Sequence, residues 1–195
     1  VLMIVCDVEE EIANEAKDRF GFEEAVTDWK AVVNNPDIDV VSICTPNDSH
    51  AEIAIAALEA GKHVYSEKPI ASTHQDAKAM SEAAEKAAKK GIISMCAYQY
   101  SRVQDLVLAK KFIEECSIGE ILNVRAQYLQ SCSSYPDSPL SWRFQKAIAG
   151  AGTLGDIATH VIDISQYLAG NISEVVSTVK SYINERPVQE GGVDL

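Results

Sequence analysis

The sequence lacks the features that mark several common functional classes. Basic residues are scarce, since 17 Lys and Arg stand against 29 Asp and Glu and give a formal net charge of -12. Nucleic acids and anionic membrane surfaces bind basic patches, so neither is expected as a partner. No apolar run approaches the roughly 20 residues that a membrane-spanning helix needs. The G-x-S-x-G motif is also missing, so a serine hydrolase has no support in the sequence.

Cysteine and histidine are too sparse to indicate a metal site or a disulfide framework. The five cysteines are scattered and form no C-x-x-C pair. The four histidines show neither H-x-x-x-H nor H-E-x-x-H spacing. An odd set of dispersed cysteines is typical of free thiols in a reducing cytosol. We therefore expect no metal and a cytoplasmic location.

The first half of the chain alternates short apolar runs with helical patterns. Residues 40–44 are apolar on both faces, which suits a central strand of a parallel sheet. Similar short runs occur at 2–6, 62–66 and 92–98. Segments with helical periodicity follow the runs at 2–6, 40–44 and 62–66. This order predicts a parallel sheet with helices on both faces.

The pattern changes after about residue 100. Residues 102–115 and 153–168 have the apolar spacing of helices. Residues 120–130 and 175–183 instead alternate apolar and polar side chains, as strands with one solvated face do. Such strands are typical of an antiparallel sheet.

Two partial domains follow from these patterns. Residues 1–100 are predicted to form a dinucleotide-binding α/β domain with a Rossmann-type parallel sheet, incomplete at the N-terminus. The chain opens on what looks like the second strand of that fold, and the G-x-G-x-x-G phosphate-binding motif is absent. Residues 101–195 are predicted to form an α+β domain for substrate binding and oligomerisation, with a mainly antiparallel open sheet. That domain also looks partial, so either both ends were lost or the chain is a fragment of a longer protein.

Asp7 is the first candidate for cofactor binding. It ends a strand and precedes a helix, where an acid of a dinucleotide fold hydrogen-bonds the adenosine ribose. The three glutamates at 9–11 would repel a 2′-phosphate, which favours NAD over NADP. Asp is equally a preferred helix N-cap, and the sequence alone leaves both roles open.

Two short loops follow neighbouring strands at the edge where open α/β sheets bind ligands. They are Thr45-Pro46-Asn47 and Glu67-Lys68-Pro69. A lysine directed into a cleft can hydrogen-bond a substrate hydroxyl and stabilise a developing alkoxide, although most lysines are simply on the surface. The restricted Lys68-Pro69 step is compatible with a cis bond. His50, at the start of the next helix, has a structural interpretation on its own evidence.

Asp156 and His160 are four residues apart and share one face of a predicted helix. An imidazole with a pKa of about 6.5 is a natural general base for a secondary alcohol. A carboxylate beside it can orient the ring or hold a neighbouring hydroxyl. A surface salt bridge gives the same spacing, but glycines at 150, 152 and 155 favour a site, because they allow close approach of the backbone to a ligand.

Three segments resemble, in the right order, motifs of the glucose–fructose oxidoreductase, inositol dehydrogenase and rhizopine-catabolism (Gfo/Idh/MocA) superfamily. They are residues 38–47 (IDVVSICTPN) with His50, residues 57–69 (ALEAGKHVYSEKP) and residues 152–160 (GTLGDIATH). The resemblance runs over nearly the whole chain. It implies a Rossmann domain and a second domain whose open sheet makes the interface of a homo-oligomer.

The resemblance also implies an activity and its residues. The enzyme would transfer a hydride between NAD and a hydroxyl carbon of a sugar, anhydrosugar or inositol. Lys68 would hold the substrate hydroxyl, His160 would act as acid and base, and Asp156 would contact the substrate or orient His160. The residues implied to lie near the cofactor are Asp7, Thr45, Pro46, Asn47, His50, Glu67 and Lys68. The positions that line the substrate pocket in some members are Tyr98, Arg102, Trp142, Arg143 and Thr159.

The chain departs from the family pattern in two places. The glycine-rich phosphate loop is missing, and Ser101 and Gln104 stand where the family often has Arg and Pro. Two alternatives to a dehydrogenase therefore stay open: a non-catalytic NAD-binding sensor or scaffold, and an inactive fragment of the dehydrogenase. The intact set of Lys68, Asp156 and His160 argues against the non-catalytic protein.

Overall fold

The computed structural model describes residues 1–131 and 133–188 of the chain. They divide into two compact units, Val1–Ala97 and Tyr98–Leu195, and the first unit is described throughout. No helix within the described residues is both long enough and apolar enough to cross a membrane.

Strands and helices alternate along the first unit. In chain order they are β1 (Ile4–Cys6), α1 (Glu10–Phe20), β2 (Glu24–Val26), α2 (Trp29–Asn34), β3 (Val40–Ile43), α3 (His50–Glu59), β4 (His63–Ser66), α4 (His74–Ala88) and β5 (Ser94–Cys96). The sequence did not predict β2 and α2, because elements of three and six residues are too short to show a period.

All paired strands of this unit run parallel. β1 pairs with β2, while β3, β4 and β5 are hydrogen-bonded neighbours in that order. Parallel neighbours need a crossover connection, which α3 supplies between β3 and β4 and α4 supplies between β4 and β5. The predicted Rossmann-type parallel sheet is therefore confirmed.

The core of the first unit is an apolar cluster built from β3, β4 and the helices. Its buried members are Val33, Ile38, Val41, Ile43, Ile53, Ala54, Ala57, Leu58, Val64, Met80 and Ala87. Burial alternates along β3: Val41 and Ile43 are buried, whereas Val40 and Ser42 are exposed. One face of β3 therefore stays open in this chain, although the apolar run at 40–44 predicted burial on both faces.

Lys62 is buried, and its charged amino group is hydrogen-bonded by backbone carbonyl groups. Its Nζ donates hydrogen bonds of 2.7 Å to the carbonyl oxygens of both Asn35 and Ile38. A buried charge without such partners would be costly, so these bonds make the position tolerable. They also fix the connection between α2 and β3 to the end of α3.

The described residues of the second unit are organised by helices and helical turns. In chain order these are a 3₁₀ turn (Gln99–Arg102), α5 (Gln104–Glu114), a 3₁₀ turn (Trp142–Phe144), α6 (Lys146–Ala149), a π-helical turn (Leu154–Ala158) and α7 (Thr159–Ala169). The helices predicted over 102–115 and 153–168 are confirmed.

The antiparallel sheet predicted for the second unit is not confirmed. Residues 120–130 and 175–183, which alternate like strands, are in no strand of the described part of this unit. Their apolar side chains are largely in solvent, as shown by Leu122 at 88% and Val175 at 77% exposure. A β-strand needs a neighbouring strand with which it forms hydrogen bonds. Alternation in the sequence indicates only which side chains would face a core, and it does not provide that neighbouring strand.

Candidate functional site

Asp7 lies directly after β1 and shapes the entry into α1. Its backbone N–H donates to the carbonyl of Val26 at 3.2 Å, which continues the pairing of β1 with β2. Its Oδ1 accepts a 2.9 Å hydrogen bond from the backbone N–H of Glu9. This contact is an Asx-type turn, so Asp7 has a local structural role beside any role toward a ligand.

The two loops predicted to carry site residues leave the same edge of the sheet. Ile43, the last residue of β3, is in register with Ser66, the last residue of β4. The backbone N–H of Glu67 donates to the carbonyl of Ile43 at 2.8 Å. Residues 45–47 and 67–69 therefore start side by side at the carboxyl ends of parallel strands.

His50, the first residue of α3, joins these two loops. Its Nδ1 lies 2.9 Å from the carbonyl oxygen of Pro69, and its Nε2 lies 2.8 Å from the carbonyl oxygen of Thr45. The Ser49 hydroxyl donates to the oxygen atoms of Thr45 and Pro46, which tightens the same turn. The interpretation of His50 as a structural residue agrees with these contacts.

Lys68 lies half-buried at the edge of the first unit, one residue after Glu67. Its backbone N–H donates a 3.0 Å hydrogen bond to the Oε2 atom of the Glu67 side chain. The Lys68-Pro69 bond is cis, as the sequence allowed. Asn47, from the neighbouring loop, is buried.

In the second unit, Asp156 and His160 lie on consecutive helical turns. Asp156 belongs to the π-helical turn Leu154–Ala158, and His160 is the second residue of α7. Between them, the Thr159 hydroxyl donates to the carbonyl of Gly155 at 2.7 Å. π-helical turns inside α-helices are rare and often accompany functional sites. The predicted helix over both residues is therefore found, and their sharing one face stays a prediction.

Three tyrosines surround the His160 ring, which is only 6% exposed. The ring centroid of Tyr100 is 4.8 Å away, Tyr128 is 6.0 Å away and Tyr98 is 6.3 Å away. The hydroxyls of Tyr100 and Tyr128 are 2.8 Å apart, and Gln130 Nε2 donates to the Tyr128 oxygen at 3.0 Å. The hydrogen bond with Tyr128 raises the pKa of Tyr100. The three rings therefore form a mostly apolar enclosure around the imidazole, and the hydrogen-bonded hydroxyls of Tyr100 and Tyr128 are polar groups within it.

Asp163 lies one helical turn after His160 and was not predicted as a site residue. Burial raises the pKa of its carboxyl, while the Ser101 hydroxyl and the charges of His160 and Arg102 act in the opposite direction. Its Oδ2 is out of contact with solvent. Its spacing of three residues from His160 is the sequence signal that indicates proximity to that side chain on a helix.

The predicted pair Trp142 and Arg143 lies on its own 3₁₀ turn. The Arg143 guanidinium stacks 4.5 Å from the Trp142 ring. Arg186 organises the loop before this turn: it donates to the carbonyl oxygens of Ser133, Tyr135 and Ser138. Its guanidinium also stacks on the Phe144 ring at 4.0 Å. No sequence signal points to Arg186, because these carbonyl partners lie about fifty residues away along the chain.

Two surface concavities of the described chain lie away from these residues. One of about 420 Å³ is bordered by α1, β2 and α2, and one of about 530 Å³ lies by the C-terminal ends of α5 and α7. None of the predicted site residues lines either concavity. Within the described residues, no three His, Cys, Asp or Glu side chains are grouped to hold a metal ion.

Two family models match the chain. Residues 1–94 match the model described as the oxidoreductase family with an NAD-binding Rossmann fold. Residues 106–194 match the model described as the GFO/IDH/MocA C-terminal domain.

Individual relatives agree with these matches. Levoglucosan dehydrogenase of Pseudarthrobacter phenanthrenivorans is 53% identical over 194 residues, which cover 100% of this chain and 49% of the relative. Inositol 2-dehydrogenase of Salmonella typhimurium is 30% identical over 182 residues, which cover 93% of this chain and 49% of the relative. The chain thus spans about half the length of the curated relatives it matches.

Solved structures give the same picture. The chain superimposes on levoglucosan dehydrogenase in complex with NADH and levoglucosan with a TM-score of 0.93 and 52% identity, covering 96% of this chain and 50% of that one. An NAD-binding oxidoreductase from Klebsiella pneumoniae gives a TM-score of 0.89 at 37% identity, covering 96% of this chain and 49% of that one.

Proposed function

The chain belongs to the Gfo/Idh/MocA oxidoreductase family, and from that premise we propose that the protein containing it is an NAD-dependent dehydrogenase. Its substrate is a sugar, anhydrosugar or inositol, oxidised at one hydroxyl-bearing carbon. The observation that carries the proposal is the 52% identity to a structure that holds both NADH and levoglucosan. Among these classes, an anhydrosugar of the levoglucosan type is the substrate that we rank first.

The carboxyl ends of the first unit's parallel strands carry residues that suit a dinucleotide. Asp7 follows β1 with an acid suited to ribose hydroxyls, and the loops 45–47 and 67–69 follow β3 and β4 at the same edge. When bound, NAD supplies the hydride acceptor at its nicotinamide ring. No G-x-G-x-x-G motif, the usual cradle for the pyrophosphate, occurs in the 195 residues.

Three side chains carry the chemistry in this proposal. Lys68 donates a hydrogen bond to the reacting hydroxyl and stabilises negative charge as it develops on that oxygen. His160 accepts the hydroxyl proton while the carbon gives up its hydride, which leaves a carbonyl. Asp156 contacts the substrate or orients His160. The tyrosines around His160 exclude water from the imidazole.

The substrate pocket is proposed to include five further side chains. They are Tyr98, Arg102, Trp142, Arg143 and Thr159. Tyr98 packs edge-on to His160, and Thr159 precedes it on α7. The stacked Trp142 and Arg143 offer an apolar face and hydrogen-bond donors, which suits a polyhydroxylated ring.

The full-length protein is further proposed to be a cytoplasmic homo-oligomer. Among the described cysteines, Cys6, Cys44, Cys96 and Cys116 form no disulfide, which fits a reducing compartment; Cys132 lies outside the described residues. The exposed apolar side chains of 120–130 and 175–183 are those expected of strands in a mainly antiparallel open sheet. That sheet is proposed to serve as the interface between subunits.

The test of the activity uses the full-length protein with NAD and a panel of levoglucosan, other anhydrosugars, free sugars and inositols. We expect NADH absorbance to rise with at least one of them. NAD binding without turnover across the whole panel would instead favour a sensor or scaffold. Calorimetry of the 195-residue chain with NAD addresses the inactive fragment, for which neither heat nor stabilisation is expected.

Asp7→Ser in the full-length protein is expected to weaken NAD binding by about 10- to 100-fold, since a hydrogen bond to a charged group contributes about 1.5–3 kcal/mol. Serine retains an acceptor for the Glu9 N–H, so the turn into α1 is preserved. Affinity for NADP should fall less, because a negative charge near the 2′-phosphate is removed. Calorimetric titration measures both affinities, with Asp18→Ser on the exposed face of α1 as control. Unchanged NAD affinity would reduce Asp7 to its role in the turn.

A further inference from the structure

His50 is the one side chain of the described residues that is both large and fully buried. Its side chain is polar, and each ring nitrogen lies within hydrogen-bond distance of a carbonyl oxygen in a different loop. Nε2 is 2.8 Å from the Thr45 oxygen, and Nδ1 is 2.9 Å from the Pro69 oxygen. Because the ring is 0% exposed, it has no surface left with which to contact a ligand directly.

The two loops have different tasks in the proposed enzyme. Residues 45–47 belong to the cofactor side, whereas Lys68 holds the reacting hydroxyl. Their strands fix only where each loop begins, through the bond from Glu67 N–H to the Ile43 carbonyl. Beyond that point, the His50 ring contacts both loops, since it lies against the carbonyl oxygen of Thr45 and against that of Pro69.

We propose that His50 is a positioning residue, which holds the cofactor-side loop 45–47 and the backbone beside Lys68 at one fixed separation. The proposal rests on the proposed dehydrogenase function and adds a role that neither loop has alone. Removal of the ring takes this partner away from the buried carbonyl of Pro69 and the partly buried carbonyl of Thr45, and lets the loops separate. Misplacement of a catalytic group by about 1 Å can cost about 10²-fold in rate, so the effect on turnover is large although His50 touches no substrate.

The experiment compares His50→Leu and His50→Gln in the full-length protein. Leucine fills the space but bonds neither carbonyl, so we expect kcat to fall about 10²-fold with circular dichroism unchanged. Glutamine retains amide donors for the carbonyls, and we expect it to recover a substantial part of that loss. If His50→Leu does not fold, the comparison of His50→Gln with the wild type decides. A folded leucine variant with wild-type kcat and KM would overturn the proposal.

The matched control is His63→Leu. His63 also bonds the backbone, accepting from Ile93 N–H at 2.9 Å, but it starts β4 at the opposite end of the sheet. We expect this change to lower stability while kcat stays near the wild-type value. An equal loss of kcat in His63→Leu would overturn the proposal, because it would show that any weakening of the unit has the same effect.

Hydrogen exchange separates this proposal from the enzyme assignment, because it needs no turnover. We expect His50→Leu to accelerate exchange in the two loops that follow β3 and β4, and to leave β1 and α1 as in the wild type. If the wild type shows no dehydrogenase activity but this local pattern is found, the function fails and the link between the loops stands. Acceleration spread evenly over the first unit would overturn the link.

Discussion

Lys68→Met in the full-length protein is expected to lower kcat by about 10²- to 10³-fold, the loss typical of removing one donor to a developing oxyanion. Methionine retains the length and the apolar stem of the half-buried side chain, so the loop after β4 has no reason to change. The bond from the Lys68 backbone N–H to Glu67 is also preserved, since it does not involve the amino group. Steady-state kinetics with NAD and the best substrate of the panel measure the loss.

Two further measurements test whether the loss of kcat comes from the Lys68 amino group itself. NAD affinity by calorimetry should stay within a few-fold of the wild type, because the lost interaction is made with the substrate oxygen. Lys78→Met, on the exposed surface of α4, is the matched control and should have wild-type kcat. An enzyme that turns over normally without the Lys68 amino group would exclude it from catalysis.

The α/β architecture of the first unit was accessible from the sequence because its signals are local. The apolar run ending at Ile43 and the helix of small and branched residues after His50 each carry their own burial pattern. Breaks such as Gly61, with a positive φ of 79°, mark where one element stops and the next begins. β2 has only three residues, and pairing with β1 rather than its own pattern makes it a strand.

The second unit shows where local pattern stops being sufficient. Alternation at 120–130 and 175–183 predicted strands, yet the described chain supplies no partner with which they pair. Helix α7 needed no partner outside the chain to form, because its hydrogen bonds are internal. The helical predictions for this unit are therefore confirmed, whereas its antiparallel sheet is not confirmed.

The residues of the candidate site likewise differ in whether a local sequence pattern predicts them. Lys68, Asp156 and His160 could be predicted because short motifs carry them, and Asp156 and His160 are also spaced by about one helical turn. The tyrosine enclosure was missed, since Tyr100 meets Tyr128 across 28 residues of chain. Contacts of this kind depend on the tertiary fold, and a single sequence has no signal for them.

His160→Gln in the full-length protein is expected to reduce kcat for oxidation by about 10²- to 10⁴-fold, the range associated with loss of a general base. The pH profile should change as well. With His160 as the proposed base, oxidation by the wild type would need an unprotonated imidazole, so we expect the wild-type rate to rise with pH. Glutamine does not titrate, and the variant should lose this rise. Kinetics across the pH range measure both effects.

The enclosure of His160 makes a matched control necessary, because a change inside it can disturb packing against Tyr98, Tyr100 and Tyr128. Tyr128→Phe is that control: it preserves the ring but removes the hydroxyl that bonds Tyr100. It should retain the pH-dependent rise, since it leaves the base in place. His74→Gln, at the exposed start of α4, should match the wild type throughout. If the rise survived in His160→Gln, another group would be the base, and the assignment of His160 would be wrong even if kcat had fallen.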